Sequence, residues 1–370
     1  MVDRFDIVFW QNAASIHQAP LMRALTTSLK LRVLVVVPEG VSAKRKAMGW
    51  LEPDYGSALL LYSDKSENRK RIVSENRDAT AHIFSGLGVY RAVDDAFFEL
   101  TGGEHGHISV MCESWRPGGL AGVVRRERFR LRLASRKRHI DTLFVSGELA
   151  RRQFEGLGFE ASEIADFGYF VDAPTSGSSV LYENGILRCL YVGELSERKD
   201  PLTLIRALGQ CSSTAWRLAL YGDGPLAGEC RALVRKLGLE GRVDFRGQVS
   251  NEEVRMEMRL SDLLVLPSKH DGWGAVVNEA LMSGTPVLVS QECGASSLVG
   301  AEAQGQVFEA GDVAKLTSIL EQRLRLGSVT EDSRRTLVDW AREHISPDVA
   351  GEYLWARVKG GAVRPPPWKM

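Results

Sequence analysis

Short apolar runs alternate with longer amphipathic stretches along the whole chain. In the first half the runs are Phe5–Trp10, Leu31–Val37, Ala81–Phe84, His107–Cys112 and Thr142–Val145. In the second half they are Leu187–Val192, Arg217–Tyr221, Val243–Phe245, Leu263–Leu266, Pro286–Val289 and Gly305–Phe308. Between them, stretches such as Pro201–Leu208 and Leu226–Leu237 carry apolar residues at helical spacing. Strand–helix–strand alternation of this kind predicts an α/β protein with parallel sheets covered by helices on both faces. Such sheets hold ligands beyond the carboxyl ends of their strands, so the loops that follow the strands are where chemistry is expected.

The periodicity lapses over Asp172–Gly185, where Pro174, Ser176, Gly177, Ser178 and Ser179 cluster. A domain boundary is expected there. The division gives a Rossmann-like domain at 1–175, a second at 186–347, and a helix and tail at 348–370 free to pack back on the first. The expected arrangement is two such domains facing a central cleft. A length of 370 residues with 44% hydrophobic content supports two cores. Lys+Arg and Asp+Glu both number 47, so net charge gives no reason to expect a nucleic-acid partner. Cys112, Cys189, Cys211, Cys230 and Cys293 are scattered, without a CxxC pair. That pattern points to reduced cytoplasmic thiols rather than a disulfide framework or a zinc site. The apolar opening is too short for a signal-peptide core, and no run reaches the roughly 18 apolar residues of a membrane span.

The densest chemistry lies in Ser268–Val287. Asp271 falls in the loop before a short apolar helix pattern, and Glu279 just over one turn inside it. A Glu among Val276, Val277, Ala280 and Leu281 is costly to desolvate unless something hydrogen-bonds it, and a pair of ligand hydroxyls would do so. Other strand-end loops add Gly193–Lys199, with Arg198 and Lys199 ahead of a helix opened by Pro201, and then Gly222-Asp223-Gly224-Pro225, Arg246-Gly247-Gln248 and Gly294. Fixed positive charge at a helix start suits phosphate oxygens. Together these features suit a sugar nucleotide. Lys199, Arg198 and backbone amides would take the diphosphate, Glu279 the ribose, and Asp271 the sugar hydroxyls.

The second half resembles the nucleotide-sugar domain of retaining glycosyltransferases of family four, which have the GT-B fold. Tyr191–Lys199 is similar to that family's glycine–lysine loop, and Tyr221–Pro225 to its G-x-G-P turn. Ser261–Ser268 is similar to its strand ending in Pro-Ser, and Asp271 to Glu279 to its E-x7-E motif. Gly284-Thr285-Pro286-Val287 follows in its usual place. The resemblance covers about Leu187 to Phe308. It implies donor-binding roles for Gly193, Arg198, Lys199, Gly222, Gln248, Asp271, Gly272, Trp273, Gly274, Ala275 and Glu279, with Lys199 and Asp271 catalytic. Two positions depart from the pattern. Asp271 stands where the family usually has Glu, and Glu194 where it usually has an arginine that grips phosphate. Arg198 is placed to supply that missing charge.

The first half resembles the family less. Asn12, His17 and Gln18, in the loop after the first strand, are the acceptor-binding candidates. Glu113 ends the strand His107–Cys112, where the family often has a histidine. It is a candidate to orient a sugar hydroxyl or assist acceptor deprotonation; the other reading is a surface carboxylate paired with Arg116. From Arg125 to Arg138 eight of fourteen positions are basic. Phe129, Leu133 and Leu120 are read as one helix face, and the basic residues as a site for anionic membrane lipids.

The function read from the chain is transfer of a sugar from a nucleotide-sugar donor to a glycan, lipid-linked or small-molecule hydroxyl, with retained configuration. No cofactor and no metal are expected, since Asp94-Asp95 falls in a predicted helix and Asp223 stands alone. The expected setting is the cytoplasm, with the enzyme peripheral on the inner membrane face. The first alternative is a non-catalytic nucleotide-sugar-binding subunit, suggested by Glu194 and Asp271. A phosphorylase or epimerase would share the fold. A nicotinamide oxidoreductase is disfavoured, because Gly86 and Gly88 form only a lone G-x-G.

Overall fold

A computed structural model describes residues 4–41, 52–173, 185–361 and 364–369. Residues 174–184, where most of the expected boundary segment falls, lie outside the described residues. The chain forms two compact units. One comprises residues 1–170 together with 346–370, the other residues 171–345.

The first unit is built on a seven-stranded sheet of β1 (Ile7–Trp10), β2 (Val33–Val37), β3 (Leu59–Tyr62), β4 (Ala81–Ser85), β5 (His107–Cys112), β6 (Thr142–Ser146) and β7 (Ile164–Phe167). Its order is β3-β2-β1-β4-β5-β6-β7, and every neighbouring pair is parallel. The two edge strands, β3 and β7, were not among the expected runs. β3 is a continuous apolar run, Leu59-Leu60-Leu61-Tyr62, but it is only four residues long and largely half-exposed. β7 is buried but carries Asp166 in its middle, which breaks the run. Asp166 is satisfied by Arg151 at 3.0 Å and by Lys369 at 2.8 Å. Lys369 belongs to the C-terminal segment, whose helix Pro347–Val358 contributes to this unit. Ser28 donates to Asp348, Arg357 donates to the Ser162 carbonyl, and the Trp368 ring packs tilted against that of Phe170 with centroids 4.8 Å apart.

The second unit holds a six-stranded parallel sheet of β8 (Leu187–Val192), β9 (Trp216–Tyr221), β10 (Val243–Gly247), β11 (Leu263–Leu266), β12 (Val287–Ser290) and β13 (Gly305–Phe308). The order is β10-β9-β8-β11-β12-β13. Its core gathers Leu190, Leu218, Leu220, Leu263, Leu264 and Leu288, none more than 1% exposed. The amino end of β11 is pinned by Asp262, which is 1% exposed. It accepts from Arg334 at 3.2 Å and from the Arg188 and Val329 amides at 2.9 and 3.1 Å. A buried carboxylate bonded this fully is structural, and it stands a strand's length from the loops considered next.

In each sheet the order reverses once, between β1 and β4 and between β8 and β11. A crevice forms at such a switch, because the loops leaving the two central strands turn to opposite sides. Among the described residues no helix is long and apolar enough to cross a membrane.

Candidate active site

The loops at the carboxyl edge of the second sheet are laced to one another by their backbones. The Gly193 amide donates to Tyr221 O at 2.9 Å, Leu195 N to Asp223 O at 3.0 Å, and Gly222 N to Gly247 O at 2.7 Å. Tyr191 adds a bond from its hydroxyl to Glu194 O at 2.9 Å. The lacing needs close approach. At Gly222, φ is +128° and a Cβ would stand 2.0 Å from the Gly193 carbonyl oxygen. Only glycine fits there.

The loop after β8 meets the loop after β11 at the switch point. Lys199 donates to Asp271 Oδ2. Arg198 Nη1 lies 3.8 Å from the other oxygen, Oδ1, and donates to His270 O at 3.3 Å. Lys269 N returns a bond to Arg198 O at 2.8 Å. Ahead of the helix Pro201–Gln210, Asp200 holds a left-handed backbone at φ +49°. Such a conformation is uncommon for a non-glycine residue and needs support. Its buried carboxylate provides it, accepting from Thr203 at 2.7 Å and facing Lys269 at 3.4 Å. The two cations are thus presented by a loop fixed on both sides.

Asp271 is fixed as firmly. Its amide donates to Glu292 O at 2.9 Å and its carbonyl accepts from Gly294 N at 3.1 Å. Gly274 caps the next helix, Ala275–Met282, at φ +91°, and a Cβ there would meet Cys293 Sγ at 2.5 Å. The Cys293 thiol donates to Trp273 O at 2.8 Å. Burial pushes that thiol's pKa up, so it remains a neutral packing group. The Trp273 indole is buried and donates to Asn278 Oδ1 at 2.9 Å.

Glu279 lies on the second turn of this helix and is half-buried. Burial raises its pKa, and Arg255 pulls in the opposite direction. Among the described residues no side chain hydrogen-bonds its carboxylate. An acid in that position awaits a donor.

The structure therefore brings Gly193, Arg198, Lys199, Gly222 and Asp271–Ala275 to one sheet edge, with Glu279 on the helix that opens there. Gln248 is exposed one residue past β10, and its side chain makes no bond among the described residues. The Glu194 carboxylate is exposed on the same loop as Arg198.

In the first unit a separate cluster forms at the carboxyl ends of β4 to β7. A cavity of about 40 Å³ is lined by Gln18, Ser85, Cys112, Glu113, Ser146 and Tyr169, among others. Glu113 accepts from the Tyr169 hydroxyl at 2.7 Å. Gln11 donates to Gln18, Asn12 N donates to Ser85 Oγ at 3.2 Å, and the His17 ring lies 6.2 Å from that of Tyr169. Asp94 and Asp95 are occupied structurally, by Arg136 at 3.2 Å and Arg69 at 2.9 Å. Tyr169, Cys293 and Asn278 were not foreseen. Their contacts link positions whose roles no short motif reveals.

Residues 184–343 match the family described as glycosyl transferases group 1. The match lies within the second unit, residues 171–345. Relatives of the chain include 2-deoxystreptamine glucosyltransferase of Streptomyces kanamyceticus, 28% identical over 36% of this chain and 35% of that protein. Lipopolysaccharide 1,6-galactosyltransferase of Escherichia coli (strain K12) is 26% identical over 41% of this chain and 42% of that one. The matches span about a third to under half of the length of these curated relatives. The fold similarity is broader. Anabaena Alr3699/HepE in complex with UDP matches with a TM-score of 0.74 at 16% identity, over 96% of this chain and 100% of that one. Lipopolysaccharide outer core galactosyltransferase WaaB, in its apo form, matches with a TM-score of 0.69 at 17% identity, over 96% and 99%. The two Rossmann-like units thus have the GT-B fold.

Proposed function

We propose that this chain is a retaining family-four glycosyltransferase. It moves a sugar from a nucleotide-sugar donor to a hydroxyl of a glycan, lipid-linked or small-molecule acceptor. The observation that carries the reading is the meeting of Lys199, Arg198 and Asp271 at the switch point of the second sheet. That edge is where an open parallel sheet holds its ligand.

The roles follow from charge. Lys199 and Arg198 offset the negative charge that grows on the departing diphosphate, assisted by amides at the start of the Ala275–Met282 helix. Asp271 receives the sugar hydroxyls and Glu279 the ribose hydroxyls. The bond from the anomeric carbon to the phosphate oxygen breaks, and a bond to the acceptor oxygen forms on the same face. The acceptor's proton passes to the departing phosphate oxygen. No enzyme nucleophile is consumed, and the two cations do the work a metal would do elsewhere. Glu113, held by Tyr169, orients a hydroxyl, and Asn12, His17 and Gln18 serve the acceptor. The five cysteines are all free, which supports a reducing, cytoplasmic setting.

Structurally similar proteins hold UDP or UDP-glucose, so UDP-sugars are the first donors to test. The test supplies UDP-, GDP- and ADP-sugars in EDTA with sugar and lipid acceptors, reading thermal shift and diphosphate release together. Stabilisation by one base with release supports the transferase. Glu194 favours a second reading, since its exposed carboxylate shares the phosphate loop. Stabilisation without release would support that reading, a nucleotide-sugar-binding subunit. No shift with any donor would overturn both.

A further inference from the structure

The cavity beside Glu113 is walled on one side by Phe167, Gly168 and Tyr169, where the chain leaves β7. β7 is an edge strand of four residues, and among the described residues it pairs with β6 alone. A short edge strand is the part of a sheet that opens first. Yet Tyr169 makes two site contacts from its end. Its hydroxyl donates to Glu113 Oε1 at 2.7 Å, and its ring lies 6.2 Å from that of His17. A side chain that orients a carboxylate needs its own backbone fixed by neighbours.

The C-terminal segment grips this stretch at three points. Lys369 pairs with Asp166 at 2.8 Å. Tyr353, on the helix Pro347–Val358, lies nearly parallel to the Phe167 ring, with centroids 6.5 Å apart. Trp368 packs tilted against Phe170 at 4.8 Å and edge-on to Tyr353 at 5.7 Å. Phe167 in turn meets Phe170 at 5.3 Å and Phe144, another wall of the cavity, at 5.2 Å. Trp368 is 4% exposed and Phe170 1%, so this contact is a packed one. The gripped positions are 166, 167 and 170, and Tyr169 falls between the last two. Pro365, Pro366 and Pro367 come just before Trp368. They restrict the unfolded segment, so docking it removes less conformational freedom.

We propose that Trp368 is a positioning residue for Glu113: it fixes Phe170, and so sets the Tyr169 hydroxyl that holds the carboxylate at the acceptor-side cavity. That the cavity takes an acceptor rests on the function proposed above; the positioning itself does not. Cys112 is a built-in reporter. It lines the same cavity, and burial, with Glu113 adding to it, pushes its thiol pKa up to about 12. Such a thiol reacts when the cavity opens, so its labelling rate follows the open population. The full chain is treated with N-ethylmaleimide, and labelling of Cys112 and Cys211 is read by peptide mass spectrometry. Rates are compared at equal distance below each variant's melting temperature. Trp368→Ala should speed Cys112 about tenfold and leave Cys211, in the second unit, unchanged. Trp368→Phe keeps a ring on Phe170 and should stay within about twofold of the wild type. Trp368→Ala should add less than about threefold to Tyr169→Phe, because the two act on one contact. Val73, on the helix Ser66–Asn76, is fully buried in the same unit, and Val73→Ala should leave Cys112 slow. With the donor and acceptor found by the panel above, Trp368→Ala should raise the acceptor KM about tenfold and leave UDP affinity unchanged. An unchanged Cys112 rate in Trp368→Ala overturns the proposal. So does an equal rise in Val73→Ala, full additivity with Tyr169→Phe, or an unchanged acceptor KM. If no donor turns over, the transferase reading fails and the labelling rates still decide the positioning.

Discussion

Glu279 offers a perturbation whose two effects have opposite signs. Its neighbours Val277, Ala280 and Leu281 are fully buried, and no side chain bonds its carboxylate among the described residues. Desolvation raises its pKa, with Arg255 a weaker opposing influence. At neutral pH the ionised carboxylate therefore costs the unliganded protein stability. Glu279→Gln keeps the shape and removes the charge. The variant should be more stable by about 0.5–1 kcal/mol, as for other relieved strains at binding sites. For a unit of this size that is about 2 °C in melting temperature. The same change should weaken nucleoside diphosphate binding. Two charge-assisted bonds to ribose hydroxyls become two neutral ones, a loss of about 2 kcal/mol or some thirtyfold in Kd.

The pH dependence separates this account from a loss of packing. A carboxyl whose folded pKa is raised binds more protons in the folded state than in the unfolded one. Its contribution is present below the ordinary value of 4.5 and is lost as pH rises through the folded value. The wild type should therefore lose stability over that window relative to Glu279→Gln, and the two should converge below it. Thermal melts across pH, with calorimetric titration of UDP, measure both effects. A variant that melts lower at neutral pH and binds UDP unchanged would refute the reasoning, because the carboxylate would then be a structural group.

Lys199→Met should weaken UDP binding by about 2–3 kcal/mol while leaving uridine binding nearly unchanged; equal losses measured by titration would remove its phosphate role. Gly222→Ala places a Cβ against the Gly193 carbonyl at a positive φ and should cost about 2–4 kcal/mol in urea unfolding; an unchanged midpoint would show that the loops yield. His82, fully buried, has its pKa lowered to about 4, chiefly by desolvation, and accepts from Trp10 Nε1 at 3.2 Å. A lowered histidine pKa gives stability that is complete above 6.5 and lost as pH falls towards about 4, here up to about 3 kcal/mol. His82→Gln should flatten that acid slope in denaturant titrations, and an unchanged slope would assign it elsewhere.

The central strands of both sheets were legible because they are buried on both faces. Leu263–Leu266 is apolar throughout and Leu187–Val192 is apolar but for Arg188 near its start, and glycines or a Pro-Ser pair end them abruptly. The edges of the first sheet were not legible, for opposite reasons. Leu59–Tyr62 is apolar at every position, but it is four residues long and half-exposed, so its run was passed over beside the longer buried ones. Ile164–Phe167 is buried, but Asp166 interrupts it for the sake of Arg151 and Lys369, the latter 203 positions later. Local pattern carries no trace of a partner that distant. The expected face of the basic helix, Gly119–Ala134, failed on phase: its composition was plain, but Leu120 is 88% exposed and falls opposite Phe129 and Leu133, which pack inward.

The candidate site divides along the same line. Single loops declare themselves, since a glycine that must approach a carbonyl and a lysine ahead of a proline-opened helix are local facts. Pairings between loops do not. Lys199 and Asp271 are 72 positions apart, and Glu113 and Tyr169 are 56 apart. What joins the first pair is topology: the reversal between β8 and β11 sends their loops to one crevice, whatever residues those loops carry. The residues then decide what the crevice can hold. On the proposed reading, two cations and a tethered carboxylate at its mouth would select an anionic ligand that also bears hydroxyls. Because Asp271 is held at its amide and carbonyl, its shorter side chain has no backbone movement to make up the missing methylene. A donor hydroxyl would have to come closer to it by about a carbon–carbon bond than it would to a glutamate. Sugar selectivity should therefore shift in Asp271→Glu even where turnover persists.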